Sequence, residues 1–222
     1  MKYALTFLGG VLFCTLTFFW IKSFFPEVFY LTQPPKIALA DIPEQDIKQY
    51  KKKHVEVKAG KYQSSGCEIE PGVFLTAFHG VMGPWLDEEQ IYVNETPAKL
   101  AWHSKTEQDY AILTTKEKFD AKKYVLDPYE FKIGDDIVIV GSPGSTRALV
   151  QPGKIINTDV KNEDGNYKMG AKKAFTIYIE SGISGGCVYP LGSNNAVAVM
   201  TKKDNNPEKT IGEISLVSKI SE

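Results

Sequence analysis

Hydrophobic and polar positions follow three textures along the chain. From Tyr3 to Ile21 come 19 consecutive uncharged, mostly apolar residues, close to the ~20 that cross a bilayer as a helix. A cleaved leader carries a shorter apolar core, soon followed by a small-residue cleavage site. Here the only A-x-A near the N-terminus, Ala38-Leu39-Ala40, lies well past the run. The pattern therefore favours an uncleaved transmembrane anchor over residues 1–25. Residues 26–54 follow as a linker, extended where Pro26, Pro34 and Pro35 punctuate it. Within it DIPEQDIKQYKKKH places a proline near the start, acids early and lysines late, as the dipole of a short juxtamembrane helix favours. Lys51, Lys52 and Lys53 read as a solvated face before they read as contacts to anionic headgroups.

From Val55 onwards the texture becomes short β-rich runs: VEV, GVFLTA, IYV, YAILT, DIVIVG, GKIIN, AFTIYI, GCVYP, AVAVMT and IGEISLV. Gly, Pro and Asn separate them, which predicts an all-β sandwich or barrel for residues 55–222. No internal repeat is visible, and no long helical stretch of the kind that crosses over a parallel sheet.

Composition narrows the function classes. With 26 Lys+Arg against 27 Asp+Glu, no net field favours nucleic acid. No zinc-type Cys/His spacing, phosphate loop or dinucleotide fingerprint occurs, so neither a metal nor a cofactor is expected. Lys2 stands on one side of the apolar run and Lys22 and Lys36 on the other, so charge barely orients it. The expectation is a single-pass membrane protein with its β-rich part outside the cytoplasm. Oligomeric state is not encoded legibly.

Candidate chemistry centres on SGISGGCVY, residues 181–189, where glycines and serines surround Ser184. Such a run is either an ordinary turn or a way to converge backbone N–H groups beside an exposed hydroxyl. A serine needs a base, usually a histidine held by a carboxylate. The chain has three histidines, His54, His79 and His103, all before Ser184. That order excludes the G-x-S-x-G nucleophile elbow, in which the histidine follows the serine. His54 follows three lysines and is expected to face solvent, and His103 in LAWHSK reads as a strand-end surface residue. His79, after the apolar strand of GVFLTAFHGV, is where a barrel rim would present an imidazole. Asp109 in EQDYAIL enters a core strand and suits a shielded carboxylate. Asp135 and Asp136 read as an exposed turn.

These stretches resemble the trypsin/chymotrypsin-like serine peptidases, most closely in style the bacterial HtrA-type catalytic domains. The matches run in family order through SSGCEI (64–69), GVFLTAFHGV (72–81), DYAIL (109–113), KIGDDIVIVGSPG (132–144), PGKI (152–155) and SGISGGCVYP (181–190). The resemblance implies two six-stranded antiparallel β-barrels with a cleft between them, and a membrane-anchored serine endopeptidase that takes protein or peptide substrates. On it His79 is the general base, Asp109 its orienting carboxylate and Ser184 the nucleophile. The N–H groups of Gly182 and Ser184 would form the oxyanion hole. The alternative is a catalytically silent barrel that binds peptides or a partner protein.

Three departures qualify the resemblance. Ile183 stands where digestive trypsins carry an aspartate that pairs with a new N-terminus, so activation by cleavage is not expected. Only 38 residues follow Ser184, leaving no room there for a PDZ domain. Tyr178 occupies the selector position of the specificity pocket and brings no negative charge. Substrate backbone would pair with AVAVMTKK, making Met200, Thr201 and Lys202 substrate-binding candidates. Three cysteines cannot build a disulfide framework, and Cys14 lies in the apolar run. The family fold brings the other two near the cleft, which implies a Cys67–Cys187 disulfide; two buried thiols are the alternative.

Overall fold

The structure, a computed structural model, describes residues 42–104, 108–117, 129–142, 148–157, 167–171, 182–203 and 211–217. The apolar run 3–21, the linker to residue 41, AFTIYI and Tyr178 lie outside the described residues. Among those described, no helix is long and apolar enough to cross a membrane.

The β-rich part forms two closed antiparallel barrels of six strands each. Barrel 1 contains β1 (His54–Ala59), β2 (Tyr62–Glu70), β3 (Val73–Thr76), β4 (Ile91–Val93), β5 (Thr96–His103) and β6 (Ala111–Thr114), in spatial order β1-β2-β3-β6-β5-β4. Barrel 2 contains β7 (Asp136–Gly141), β8 (Leu149–Asn157), β9 (Tyr167–Ala171), β10 (Cys187–Pro190), β11 (Ala198–Lys203) and β12 (Ile211–Leu216), in order β10-β11-β12-β9-β8-β7. Closure gives every strand a neighbour on both sides, though β11 meets β10 only at Ala198 and Val199.

Alternation sets which side chains fill the barrels. In β1 Val55, Val57 and Ala59 turn inward while His54, Glu56 and Lys58 are less buried, the period of two that a one-sided strand requires. They meet Phe74, Ile91, Val93 and Leu113 in the interior of barrel 1. Barrel 2 has its own interior of Ile137, Ile139, Ile155, Val188, Met200 and Ile214. A third cluster lies between the barrels, where Cys67, Leu75 and Tyr110 meet Val138, Val140, Cys187, Tyr189 and Val199. Strands at this seam are buried on both faces, which is why β3 and β6 are apolar runs without alternation.

Two helices complete the described elements, α1 (Glu44–Lys53) and α2 (His79–Leu86). The predicted helix before the barrels is present, but it is docked rather than a bare linker. Tyr50 is 1% exposed, packs at 4.8 Å on Tyr189 and donates its hydroxyl to Ser193 O at 3.1 Å. Lys53 Nζ donates to Asn194 O at 2.5 Å, so this lysine is not simply solvated. Cys67 of β2 and Cys187 of β10 form a disulfide across the seam, with Cα atoms 6.0 Å apart.

Candidate active site

The segment after β3 turns directly into α2, so His79 is the first residue of a helix rather than a strand-end loop residue. Asp109 immediately precedes Tyr110 and β6, the strand that pairs with β3 from Thr76↔Ala111 to Val73↔Thr114. That pairing brings the two residues together. His79 donates its backbone N–H to Asp109 Oδ1 at 2.8 Å, and its Nδ1 lies 2.5 Å from Asp109 Oδ2. The imidazole side chain is 43% exposed and the carboxylate 24%. A two-point grip of this kind fixes the ring's orientation and leaves Nε2 as the nitrogen open to other chemistry.

Ser184 reaches the same region from barrel 2. It lies in the turn before β10, with Gly182 at φ +101° and Gly185 at φ +81°, backbone that side chains with a Cβ rarely adopt. A Cβ on Gly185 would strike Ser65 O and Thr76 Oγ1, and would lie 2.9 Å from Ala77 N. The Ser184 turn therefore lies against the strand end two residues before His79. Gly185 N–H donates to Met200 O and Met200 N–H to Gly186 O, at 2.7 and 2.8 Å. Among the described residues, neither the Gly182 nor the Ser184 N–H is given to another group, and no hydrogen bond joins the His79 ring to the Ser184 hydroxyl.

Ile183, which replaces the trypsin aspartate, is 4% exposed and packed in the interior of barrel 2. Apolar anchorage thus holds the turn where an ion pair holds it in digestive trypsins. Met200 is also committed to that interior at 1% exposure, and its backbone groups bind Gly185 and Gly186 of the Ser184 turn. It does not offer itself to a substrate strand. Thr201 is buried, and Lys202 lies in β11 past a bulge.

Several contacts at this site had no sequence signal. Ser215 of β12, fully buried, accepts the Asp109 N–H at 2.9 Å from 106 residues away. Ser65 of β2 reaches Gly182 and Ser184. His54 is mostly buried rather than facing solvent, and its Nε2 lies 2.7 Å from Ser142 Oγ. Burial pushes its pKa down to about 4, opposed in part by the Gly66 backbone, while Nδ1 makes no hydrogen bond in good geometry. His103 lies at the end of β5, as expected, and stacks on Phe78 at 4.2 Å. Asp135 accepts the Lys132 N–H in a turn, whereas Asp136 begins β7. Among the described residues no cluster of His, Cys, Asp and Glu could hold a metal ion.

No protein-family model matches the chain, and no curated protein matches it in sequence. Its fold has solved counterparts. The Rv3671c protease from M. tuberculosis in its active form superimposes with TM-score 0.58 at 20% identity, over 83% of this chain and 84% of that one. The serine endoprotease from Yersinia pestis gives TM-score 0.57 at 20% identity, over 79% and 64%. The HtrA-type protease AlgW, solved with a tripeptide, gives 0.58 at 18%, over 78% and 59%. At these identities the likeness establishes the trypsin-like double-barrel fold.

Proposed function

We propose that the protein is a serine endopeptidase of the trypsin-like, HtrA-related type, working through His79, Asp109 and Ser184. The observation that carries the reading is the His79–Asp109 pair, gripped at Nδ1 and at the backbone N–H, beside the positive-φ glycine turn that holds Ser184. Asp109 fixes the imidazole tautomer and stabilises the imidazolium, leaving Nε2 to accept the Ser184 proton. Catalytic hydrogen bonds in such sites commonly close only once substrate is bound.

In the reaction the Ser184 Oγ attacks the scissile carbonyl as its proton passes to His79 Nε2. The Gly182 and Ser184 N–H groups receive the developing oxyanion. The imidazolium then protonates the leaving amine as the C–N bond breaks, giving an acyl-enzyme. Water, deprotonated by His79, releases the acid and restores Ser184. Substrate backbone would add alongside β11 beyond Met200, at Thr201 and Lys202, by strand pairing. The Cys67–Cys187 disulfide favours an oxidising compartment, in keeping with a barrel domain outside the cytoplasm, tethered by the apolar run 3–21.

The test is covalent labelling with a fluorophosphonate followed by peptide mapping. Labelling at Ser184 that disappears in His79→Ala supports an activated serine, and Ser184→Ala should lower peptide turnover by a factor on the order of 10⁶ without unfolding the protein. A folded wild-type protein that takes no label and cleaves no peptide is instead a peptide-binding barrel.

A further inference from the structure

Ser65 uses every polar group it has at the junction of the two barrels. It is fully buried in the middle of β2. Its N–H donates to Ser184 O at 2.8 Å and its hydroxyl to Gly182 O at 2.7 Å. The same Oγ accepts the Ser142 N–H at 2.8 Å, and its carbonyl accepts the Thr76 hydroxyl at 2.7 Å. A serine hydroxyl has one proton. With Ser142 occupying an acceptor position, that proton is directed to Gly182.

The consequence lies in the turn. The Gly182 and Ser184 carbonyls are both tied to Ser65, and the Ile183 carbonyl between them accepts the Gly186 N–H at 2.8 Å. Three successive carbonyls are thus fixed, in a turn where Gly182 sits at φ +101° and could otherwise rotate its peptide groups. Each carbonyl shares a peptide plane with the next residue's N–H, so the Gly186 bond to Ile183 O holds the plane that carries the Ser184 N–H, and the two Ser65 bonds hold the planes on either side of it. The Ser184 donor therefore cannot turn without disturbing Ser65, and a fixed donor is what an oxyanion requires.

We propose that Ser65 is a positioning residue for oxyanion stabilisation, contributed by barrel 1 to the nucleophile turn of barrel 2. The proposal rests on the endopeptidase reading and adds to it a group that touches neither substrate nor the reacting atoms. Ser142 sets the Ser65 hydroxyl and is itself joined to His54 at the start of β1.

The experiment compares full-length wild type with Ser65→Ala. In the variant kcat/KM should fall roughly 10- to 100-fold, the scale on which small misplacements act, while KM stays within about twofold. Affinity for a peptide aldehyde, whose adduct carries the oxyanion, should fall in parallel. Binding of an uncleaved peptide in the Ser184→Ala background should not change when Ser65→Ala is added. If Ser65→Ala does not unfold cooperatively, Ser65→Cys replaces it, since a sulfur fills the site but cannot make the short hydrogen bonds; the same split is expected. Turnover and aldehyde affinity within twofold of wild type would overturn the proposal alone. A rise in KM with unchanged kcat would do the same, because it assigns Ser65 to substrate binding. A wild type that neither labels nor turns over overturns the endopeptidase reading and the proposal together.

Discussion

His54 illustrates how one side chain can couple stability to pH without taking part in chemistry. Burial lowers its pKa to about 4 from the ordinary 6.5, because an imidazolium in that position loses hydration and the Gly66 backbone offsets the loss only in part. The neutral ring keeps its contact with Ser142. Above pH 6.5 His54 is neutral in both folded and unfolded chains and adds no pH dependence. Between 6.5 and 4 the unfolded chain binds a proton that the folded one refuses, so stability falls as pH falls. Below about 4 both forms are protonated and the loss levels off. The shift corresponds to roughly 3 kcal/mol at 1.36 kcal/mol per pKa unit. Replacing His54 by Gln removes the titration, so urea-unfolding curves of His54→Gln should lose less stability between pH 7 and pH 4 than wild type, by up to about that amount. Parallel pH profiles for the two proteins would refute the assignment.

At the scale of elements, α1 is held on the barrels by a single deeply placed ring. Tyr50 packs against Tyr189 and bonds Ser193, with Ile42 and Ile47 beside it in the seam cluster. Tyr50→Ala should cost about 3–5 kcal/mol, as large aromatic deletions from cores do, whereas Tyr50→Phe, losing only the hydroxyl, should cost about 1 kcal/mol; thermal and urea unfolding of the pair measure both. The helix was legible because acids, lysines and the leading proline mark its ends, but its docking was not, since the partner Tyr189 lies more than a hundred residues away. The same division runs through the barrels. β1, β3, β6 and β7 announce themselves through apolar runs or alternation. β2, β5 and β9 do not: YQSSGCEIE is broken by the small residues Ser64, Ser65 and Gly66 where the Ser184 turn lies against Ser65, TPAKLAWH carries a proline and a lysine, and YKMGA is short with a glycine. His79, Asp109 and Ser184 stood out because each sits beside a recognisable strand or turn. Ser65, Ser215 and His54 act across 77 to 119 residues of chain, as pairs such as Ser65–Ser142, Ser65–Ser184 and Asp109–Ser215 do, and no local pattern records such a contact.

For the whole molecule, the decisive relation is between the barrels, since His79 and Asp109 belong to one and Ser184 to the other. The Cys67–Cys187 disulfide spans that relation over a sequence separation of 120. Its stabilising effect can act in two places. In the unfolded chain, closing so long a loop removes conformational freedom worth up to roughly 5 kcal/mol in the chain-entropy treatment. In the folded chain it could also hold the barrels in register. The second effect is the smaller one here, because Leu75, Tyr110, Val138, Val140 and Val199 already fill the seam, and the Ser65 hydrogen bonds join the same two faces. A Cys67→Ala/Cys187→Ala variant should therefore lose about 2–5 kcal/mol in urea unfolding, yet keep its rate of fluorophosphonate labelling within a few-fold at temperatures where it remains folded. Reduction of the wild-type disulfide should reproduce the stability loss. If labelling instead collapses while the domain stays cooperatively folded, the bond is setting the distance between imidazole and serine, and packing at the seam is not enough to fix it.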